Sequence, residues 1–127
     1  MIAVDTSALM AIVLGEPQAG ACIEALEAES DVLVSAGTLA EALIVAARRN
    51  VRDEMASLVE RLGFEIVAVT AASAQRIAHA YERWGKGVHP AGLNIGDCFA
   101  YALAREHSCP LLFVGNDFSQ TDVGSAV

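Results

Sequence analysis

Cationic side chains are scarce in this chain of 127 residues, which has eight Lys and Arg against sixteen Asp and Glu and a formal net charge of −8. None of the eight precedes Arg48, so the N-terminal segment lacks the basic stretch that opens a secretory signal peptide. Proteins that bind nucleic-acid phosphates indiscriminately usually carry a positive excess, and this net charge argues against such binding. We therefore expect a protein that is not exported through such a signal and that is not a general polyanion binder.

Cysteine pairs and long apolar runs are also lacking. The three cysteines, Cys22, Cys98 and Cys109, form no CxxC motif. This pattern favours reduced thiols in a cytosol over a disulfide framework or a zinc site. The longest early apolar run, 8–14, is far short of the roughly 20 residues that a membrane-spanning helix needs. The expectation is a soluble, cytoplasmic protein without a membrane segment.

Glycine and proline number only ten and three, and no repeat of fixed period is present, which excludes fibrous and repeat architectures. Hydrophobic residues make up 54% of the chain, so it can bury a core and is not intrinsically disordered. At this length, one compact domain over residues 1–127 is expected.

Short apolar runs alternate with longer segments that have helical periodicity. The apolar runs predict buried strands at 1–4, 31–35, 64–69 and 110–114. The longer segments predict helices at 17–29, 37–49, 51–62, 71–84 and 95–107, with a further helix starting at Thr6 or Ser7. The Gly-rich stretch 85–92 predicts a flexible loop, and 122–127 predicts a short edge strand or a frayed end. Strands that alternate with helices indicate an α/β domain whose central parallel sheet is flanked by helices on both faces.

Four long stretches each contain a single charged residue, and in every case it is a carboxylate. The stretches 1–15, 32–47, 87–104 and 108–121 carry Asp5, Glu41, Asp97 and Asp117. Glu41 stands out because it lies in LAEALIVAA, a helix that is apolar all round and hence typical of a buried one. A buried, unpaired carboxylate costs several kcal/mol, so these acids need a physical explanation.

The predicted topology brings these acids to one edge of the sheet. Asp5 and Asp117 follow strands and Asp97 lies in the first turn of a helix, and in such folds strand ends and helix starts share an edge. Two carboxylates about 4 Å apart repel by about 4 kcal/mol at an effective dielectric of 20. No Lys or Arg in these stretches can neutralise them. A hard divalent cation would, and oxygen ligands favour Mg²⁺ or Mn²⁺.

Each acid also has a purely structural explanation. Asp5 and Asp97 stand where a carboxylate caps a helix and complements its dipole. Asp117, in GNDF, can be an ordinary turn residue. Glu41 can be satisfied by a hydrogen bond to the backbone or to Thr38. These four roles are unrelated to one another, whereas a single bound cation accounts for all four acids.

Four segments occur in an order and spacing that resemble the PIN-domain family, specifically the VapC toxins of bacterial toxin–antitoxin pairs. They are DTSAL at 5–9, SAGTLAEALIV at 35–45, LNIGDCFAYALA at 93–104 and LLFVGNDFSQTD at 111–122. The resemblance spans essentially the whole chain. It implies a three-layer α/β/α fold and a Mg²⁺- or Mn²⁺-dependent endoribonuclease. It also implies a homodimer that a cognate VapB-like antitoxin holds inactive by placing its C-terminal segment in the active-site groove.

Residue by residue, the first three acids of the family fall on Asp5, Glu41 and Asp97. The fourth departs from the family pattern: relatives carry an acid where this chain has Gly115 or Asn116, and Asp117 is the remaining candidate. We assign Asp5, Asp97 and Asp117 as metal ligands, and Glu41 as the residue that orients or deprotonates the attacking water. All four are thus predicted to be catalytic.

Several polar residues are predicted to bind substrate. Thr6 and Ser7, at a helix start, can bind a phosphate or cap the helix, and Asn116 lies beside the fourth acid. A basic stripe at helical spacing consists of Arg76, His79, Arg83 and Lys86, and a second basic cluster consists of Arg48, Arg49 and Arg52. Either group can guide RNA, contact the antitoxin or a second protomer, or form a solvated face. With this net charge, the affinity for RNA, either tRNA or rRNA, is expected to be modest and sensitive to salt.

Two other functions compete with the nuclease. A receiver-like domain that accepts a phosphoryl group on an Asp would use a similar fold, but it needs an acidic pair after the first strand and a late Lys. Here Thr6 follows Asp5, and no Lys follows Lys86. A phosphatase of the haloacid dehalogenase kind would need DxD, and Ser7 fills the second acidic position. A binding module that keeps the fold without the chemistry is conceivable because of the altered GNDF segment.

Overall fold

The chain forms four strands and six α-helices, and all 127 residues are described in a computed structural model. The strands are β1 (Ile2–Val4), β2 (Val32–Ser35), β3 (Glu65–Val67) and β4 (Leu111–Leu112). The helices are α1 (Thr6–Val13), α2 (Ala19–Glu27), α3 (Ala36–Arg48), α4 (Arg52–Leu62), α5 (Ala71–Trp84) and α6 (Ile95–Glu106). A 3₁₀ helix covers Asp117–Gln120. No helix is long and apolar enough to cross a membrane.

The four strands form one parallel sheet in the order β3-β2-β1-β4. Strand β1 is central, with Ile2 opposite Val32 on one side and Ala3 opposite Leu111 on the other. The residue that follows β1 is therefore flanked by the carboxyl ends of two neighbouring strands. This order places Asp5 at the middle of the edge where ligands bind in open parallel sheets.

Side chains that alternate along the strands enter two separate cores. Ile2 and Val4 belong to a cluster built with α1, α2, α3 and α4 on one face of the sheet. Ala3 belongs to a second cluster built with α5 and α6 on the other face. The alternation follows from the two-residue period of a strand. The predicted α/β/α layers and central parallel sheet are thus confirmed.

A strand forms within the predicted range 64–69, but the prediction that it is buried is wrong. Strand β3 spans three residues at the edge of the sheet, where Glu65 and Ile66 are exposed and only the preceding Phe64 is buried. An apolar run does not show whether its strand will be central or at an edge, because partner order is a property of the whole chain. The tail contributes a single parallel bridge, between Ser125 and Leu111, rather than a strand.

A hydrogen-bond chain fastens the C-terminal tail to helices α5 and α6. The indole N–H of Trp84 donates to the hydroxyl of Tyr101 (2.9 Å), which donates to Oδ1 of Asp122 (2.5 Å). Oδ2 of Asp122 lies 3.4 Å from a guanidinium nitrogen of Arg83 and 3.8 Å from one of Arg105. The loop that carries Asp117 is thereby anchored at its far end.

Replacing Tyr101 with Phe tests this anchor. The variant leaves the buried indole N–H of Trp84 without an acceptor, so we expect the free energy of unfolding to fall by about 1–3 kcal/mol. Urea denaturation measures the change. Tyr81→Phe is the matched control, because the Tyr81 hydroxyl makes only a 3.4 Å contact with the carbonyl of Lys86 and stays at the surface. Equal losses in the two variants would contradict the anchor.

Candidate active site

Asp5 combines deep burial with an oxygen that has no partner. It is the N-cap of α1 and 3% exposed. Its Oδ2 accepts hydrogen bonds from the backbone N–H of Ser7 (3.0 Å) and from the Ser7 hydroxyl (2.6 Å). Its Oδ1 is buried and accepts no hydrogen bond. Capping therefore explains one carboxylate oxygen and leaves the other available to a ligand.

Glu41 lies halfway along α3 and faces the starts of α1 and α6. The Thr6 hydroxyl donates to Oε1 of Glu41 at 2.7 Å, and it also lies 3.3 Å from the carbonyl oxygen of Thr38. On the other side the carboxylate lies against Gly96, where an added Cβ would collide with Oε2. The side chain is half-buried between these two contacts. The Thr6 hydroxyl therefore holds the Glu41 carboxylate on one side. On the other side Gly96 leaves room for it, because glycine has no side chain.

Asp97 is the third residue of α6 and is 9% exposed. Its Oδ2 accepts the backbone N–H of Asn94 (3.0 Å), while the Asp97 N–H donates to Oδ1 of Asn94 (2.8 Å). This reciprocal capping box fixes the carboxylate at the N-terminal end of the helix, where the dipole favours negative charge. The expected cap is present, and it again employs a single oxygen.

Asp117 is exposed and opens the 3₁₀ helix that follows β4. The residue two positions earlier, Gly115, has a φ of 103°, a value that residues with a Cβ rarely adopt. An acid at that position would be strained on this backbone. Asn116 is exposed beside it, and its carbonyl accepts the Ser119 hydroxyl at 2.6 Å.

The four acids occupy one electrostatic neighbourhood. Burial raises the pKa of Asp5 to about 7; the hydrogen bonds from Ser7 oppose the rise, and the charges of Asp97 and Glu41 add to it. Burial also raises the pKa of Asp97 to about 6; the bond from the Asn94 backbone opposes the rise, and the charges of Asp117 and Glu41 add to it. The convergence expected from strand ends and helix starts is thus present.

The four acids supply ligands that suit a cation, but in this structure their side chains are too far apart to enclose one. No three Asp, Glu, His or Cys side chains are close enough together to hold a metal ion. The donors available are nevertheless all oxygen, and one of them, Oδ1 of Asp5, is buried without a partner. Burial, with a further contribution from neighbouring negative charge, also raises the pKa values of Asp5 and Asp97. Ion binding at these residues requires the carboxylates to move closer together.

The hydroxyls of Thr6 and Ser7, predicted to bind phosphate, are engaged with the acids. Thr6 donates to Glu41, and Ser7 donates to Asp5 while accepting the backbone N–H of Val114 at 3.0 Å. Ser7 thus links the ends of β1 and β4. The two residues position carboxylates in this structure, whereas a phosphate would have to compete with those bonds.

Three members of the predicted basic stripe, Arg76, His79 and Arg83, line one groove along α5, but each of them faces an acid. Arg76 pairs with Glu106 at 3.2 Å, and Arg83 pairs with Asp122 and lies over the Trp84 ring at 4.6 Å. Glu106 ends α6 nine residues after Asp97, about 14 Å along a helix axis, so Arg76 lies away from the acids. Lys86, in contrast, lines a groove next to Asn94.

Sequence reasoning missed Gly96. Its role as the surface against which Glu41 packs depends on contact between α3 and α6, which are far apart in the chain. The sequence signal that could have indicated this role is a glycine inside a predicted helix, directly before Asp97. Glycine destabilises a helix interior, so its presence there suggests a need for space.

The raised pKa values predict how stability depends on pH. A carboxyl whose pKa is higher in the folded than in the unfolded chain binds more protons when folded, so the free energy of unfolding falls as pH rises from about 4 to about 7. Without divalent cations, the wild type should be more stable at pH 5 than at pH 7.5, by a few kcal/mol. Asp5→Asn should flatten this profile and raise stability at pH 7.5. Thermal melting across pH measures both.

Glu60→Gln, at an exposed position of α4, is the control and should keep the wild-type profile. Addition of Mn²⁺ at pH 7.5 should raise the melting temperature of the wild type and raise that of Asp5→Asn less. A wild-type profile that rises from pH 5 to pH 7.5 would refute the burial argument for Asp5.

Comparisons with known proteins agree with this architecture. The chain matches the PIN domain over residues 2–124. Ribonuclease VapC42 of Mycobacterium tuberculosis is 44% identical over 128 residues, which cover 97% of each chain. Ribonuclease VapC36 of the same organism is 44% identical over 124 residues, which cover 94% of this chain and 89% of that protein.

Solved structures show the same fold. The VapC20 toxin of Mycobacterium tuberculosis, described as cleaving the sarcin–ricin loop, has a TM-score of 0.79 and 20% identity, covering 97% of this chain and 96% of that one. The VapBC2 complex of Rickettsia felis bound to promoter DNA has a TM-score of 0.71 and 15% identity, covering 98% and 96%. On fold and sequence together, the chain belongs to the PIN-domain family and, within it, to the VapC group.

Proposed function

We propose that this protein is a Mg²⁺- or Mn²⁺-dependent endoribonuclease and the toxin of a toxin–antitoxin pair. The observation that carries the proposal is the buried Oδ1 of Asp5, which has no partner, while the charges of Asp97 and Glu41 act on the same carboxylate. The relatives that share 44% of their residues with this chain are named ribonucleases, which supports RNA as the substrate.

Asp5, Asp97 and Asp117 would hold the cation, because they supply only oxygen donors and gather at one edge of the sheet. When bound, such an ion lowers the pKa of a coordinated water and stabilises negative charge on phosphoryl oxygens. Ser7 holds Asp5 in place by donating to Oδ2, which leaves Oδ1 without a partner. The Asn94 backbone does the same for Asp97.

Glu41 is the proposed acceptor of the proton that leaves the attacking water. The Thr6 hydroxyl fixes the position of its carboxylate, and Gly96 leaves the space that the carboxylate occupies. The water oxygen forms a bond to phosphorus as the bond between phosphorus and the leaving oxygen breaks, with no covalent enzyme intermediate. Proton removal by a positioned side chain contributes about 10²–10⁴-fold to such reactions.

The partners proposed for this chain are a VapB-like antitoxin, a second copy of the chain and a structured RNA in the cytoplasm. A fold relative is a toxin–antitoxin complex from Klebsiella pneumoniae, with a TM-score of 0.72. A groove of about 730 Å³ next to Asn94 is lined mainly by apolar side chains, among them Tyr81, Ile95 and Phe99. Ile95 is 67% exposed there, which supports burial of this face in a homodimer.

Cleavage assays test the nuclease proposal. The wild type, with Mg²⁺, should cleave at least one RNA in a panel of tRNA and rRNA substrates, and EDTA should abolish the activity. Asp97→Asn and Glu41→Gln should each reduce the rate by at least about 100-fold while the protein stays folded. Glu60→Gln should cleave like the wild type. A wild type that cuts no faster than either active-site variant on every RNA would end the proposal.

Gly96→Ala tests the position of Glu41 separately. In an open helix, Gly→Ala stabilises by about 1 kcal/mol, but here the new methyl group meets the carboxylate of Glu41. We expect a folded protein whose cleavage rate falls by at least tenfold. Gly20→Ala, in α2 with open space around it, is the matched control and should gain stability at an unchanged rate. If Gly96→Ala cleaves RNA at the wild-type rate, Glu41 does not need this position.

A further inference from the structure

Three arginines at the corner between α3 and α4 have no partner within the chain. Arg48 ends α3, Arg49 follows it and Arg52 begins α4. Asn50, with a φ of 59°, turns the chain between the two helices, so that both helix ends meet at one corner. All three arginines are exposed, and none takes part in any of the ion pairs or side-chain hydrogen bonds of the structure. We refer to Arg48, Arg49 and Arg52 as the corner arginines.

The other clustered arginines each face a carboxylate. Arg76 pairs with Glu106, and both Arg83 and Arg105 face Asp122. The corner therefore holds the only group of unpaired cations in a chain whose net charge is −8. The three guanidinium groups outnumber the neighbouring carboxylates of Asp53 and Glu54, so the corner offers an anion a net positive charge and unengaged N–H donors.

Helix stabilisation explains only part of the cluster. Arg48 and Arg49, at the C-terminal end of α3, lie where the helix dipole favours a cation. Arg52 is the first residue of α4, where the dipole disfavours one. Asp53 and Glu54 in the same turn complement that dipole, but neither forms an ion pair with an arginine. Neither the helix dipole nor an ion pair therefore accounts for the position of Arg52.

The corner lies along the same helix as the candidate catalytic site. Glu41 and Arg48 are seven residues apart, so they lie on the same side of α3, about 10.5 Å apart along its axis. Glu41 faces Thr6 and Gly96 at the acids. A polynucleotide whose cleaved linkage lies at Glu41 would bring a phosphate a few nucleotides away within reach of the long Arg48 side chain.

We propose that the corner arginines form a phosphate-binding patch for the RNA strand that flanks the cleaved linkage. This inference rests on the proposed nuclease function, which it deepens by locating where the flanking strand binds. Unpaired guanidinium groups bind phosphate oxygens through paired N–H donors, with no preference for sequence. The patch thereby explains how an acidic protein retains RNA through a few local contacts instead of through its overall charge.

The test compares Arg48→Gln, Arg49→Gln and Arg52→Gln, singly and combined, with Arg61→Gln. Arg61 is the matched control, because it is also exposed and unpaired but lies in the last turn of the same helix α4. Two substrates are used: a structured RNA that the wild type cleaves, and a short fragment with only the cleaved linkage and its nearest neighbours. KM and kcat are measured as functions of KCl concentration. Binding of the long RNA is measured in parallel on Glu41→Gln protein, with and without the arginine changes.

For the long RNA at low salt, each corner variant should raise KM and Kd by up to about fivefold, the range of an exposed ion pair. The slope of log Kd against log salt should become shallower by about 0.7 for each phosphate of single-stranded RNA that the variant no longer binds. The kcat value, and KM for the short fragment, should stay unchanged. Arg61→Gln should match the wild type throughout.

Corner variants that keep the wild-type Kd and salt slope, or that change them no more than Arg61→Gln does, overturn the patch. Loss of antitoxin affinity with unchanged RNA binding would assign the corner to a protein partner and would overturn it equally. The binding measurement does not depend on catalysis. Absence of cleavage by the wild type therefore counts against the nuclease, whereas an unchanged salt slope counts against the patch alone.

Discussion

A buried carboxylate with one unsatisfied oxygen is the constraint on which the rest of this structure depends. Asp5 follows the central strand of a parallel sheet, so the ends of β2 and β4 and the start of α6 surround it. Burial disfavours its ionised form, and the negative charges of Glu41 and Asp97 add to that effect. Such a group costs stability unless something binds it. The fold therefore maintains an energetically unfavourable site at its centre, as is common where a protein binds a ligand or catalyses a reaction.

Structural and functional roles coexist on the same side chains. Asp5 and Asp97 both cap helices, and each does so through Oδ2 alone. Capping fixes the direction of the carboxylate and leaves its second oxygen for other chemistry. A carboxylate that is positioned by a helix end needs no large rearrangement of the backbone when it binds a ligand, because the backbone has already fixed its orientation.

Two neighbouring hydroxyls connect these acids to distant parts of the chain. Thr6 connects the start of α1 to Glu41 on α3, and Ser7 connects Asp5 to the backbone of Val114 after β4. Hydrogen bonds thus tie Asp5 and Glu41 to three segments of the chain through the adjacent residues Thr6 and Ser7, and substitutions in this group are expected to be non-additive. The arginines fall into two groups. Those on α5 and α6 form ion pairs with acids, whereas the corner arginines between α3 and α4 form none.

Much of this was determined by the sequence alone. The alternation of apolar runs with helical segments predicted the parallel sheet and its layers. The reason is that each helix with a periodic apolar stripe buries that face against the sheet. Lone acids in apolar surroundings marked Asp5, Glu41 and Asp97 as candidate site residues, because a charge in a segment that folds into the interior is stable only when another group binds it. Only the tertiary structure decided that β3 is an edge strand, that Gly96 makes room for Glu41 and which arginines are neutralised. Each of these depends on contacts between segments far apart in the chain, and local periodicity does not predict such contacts.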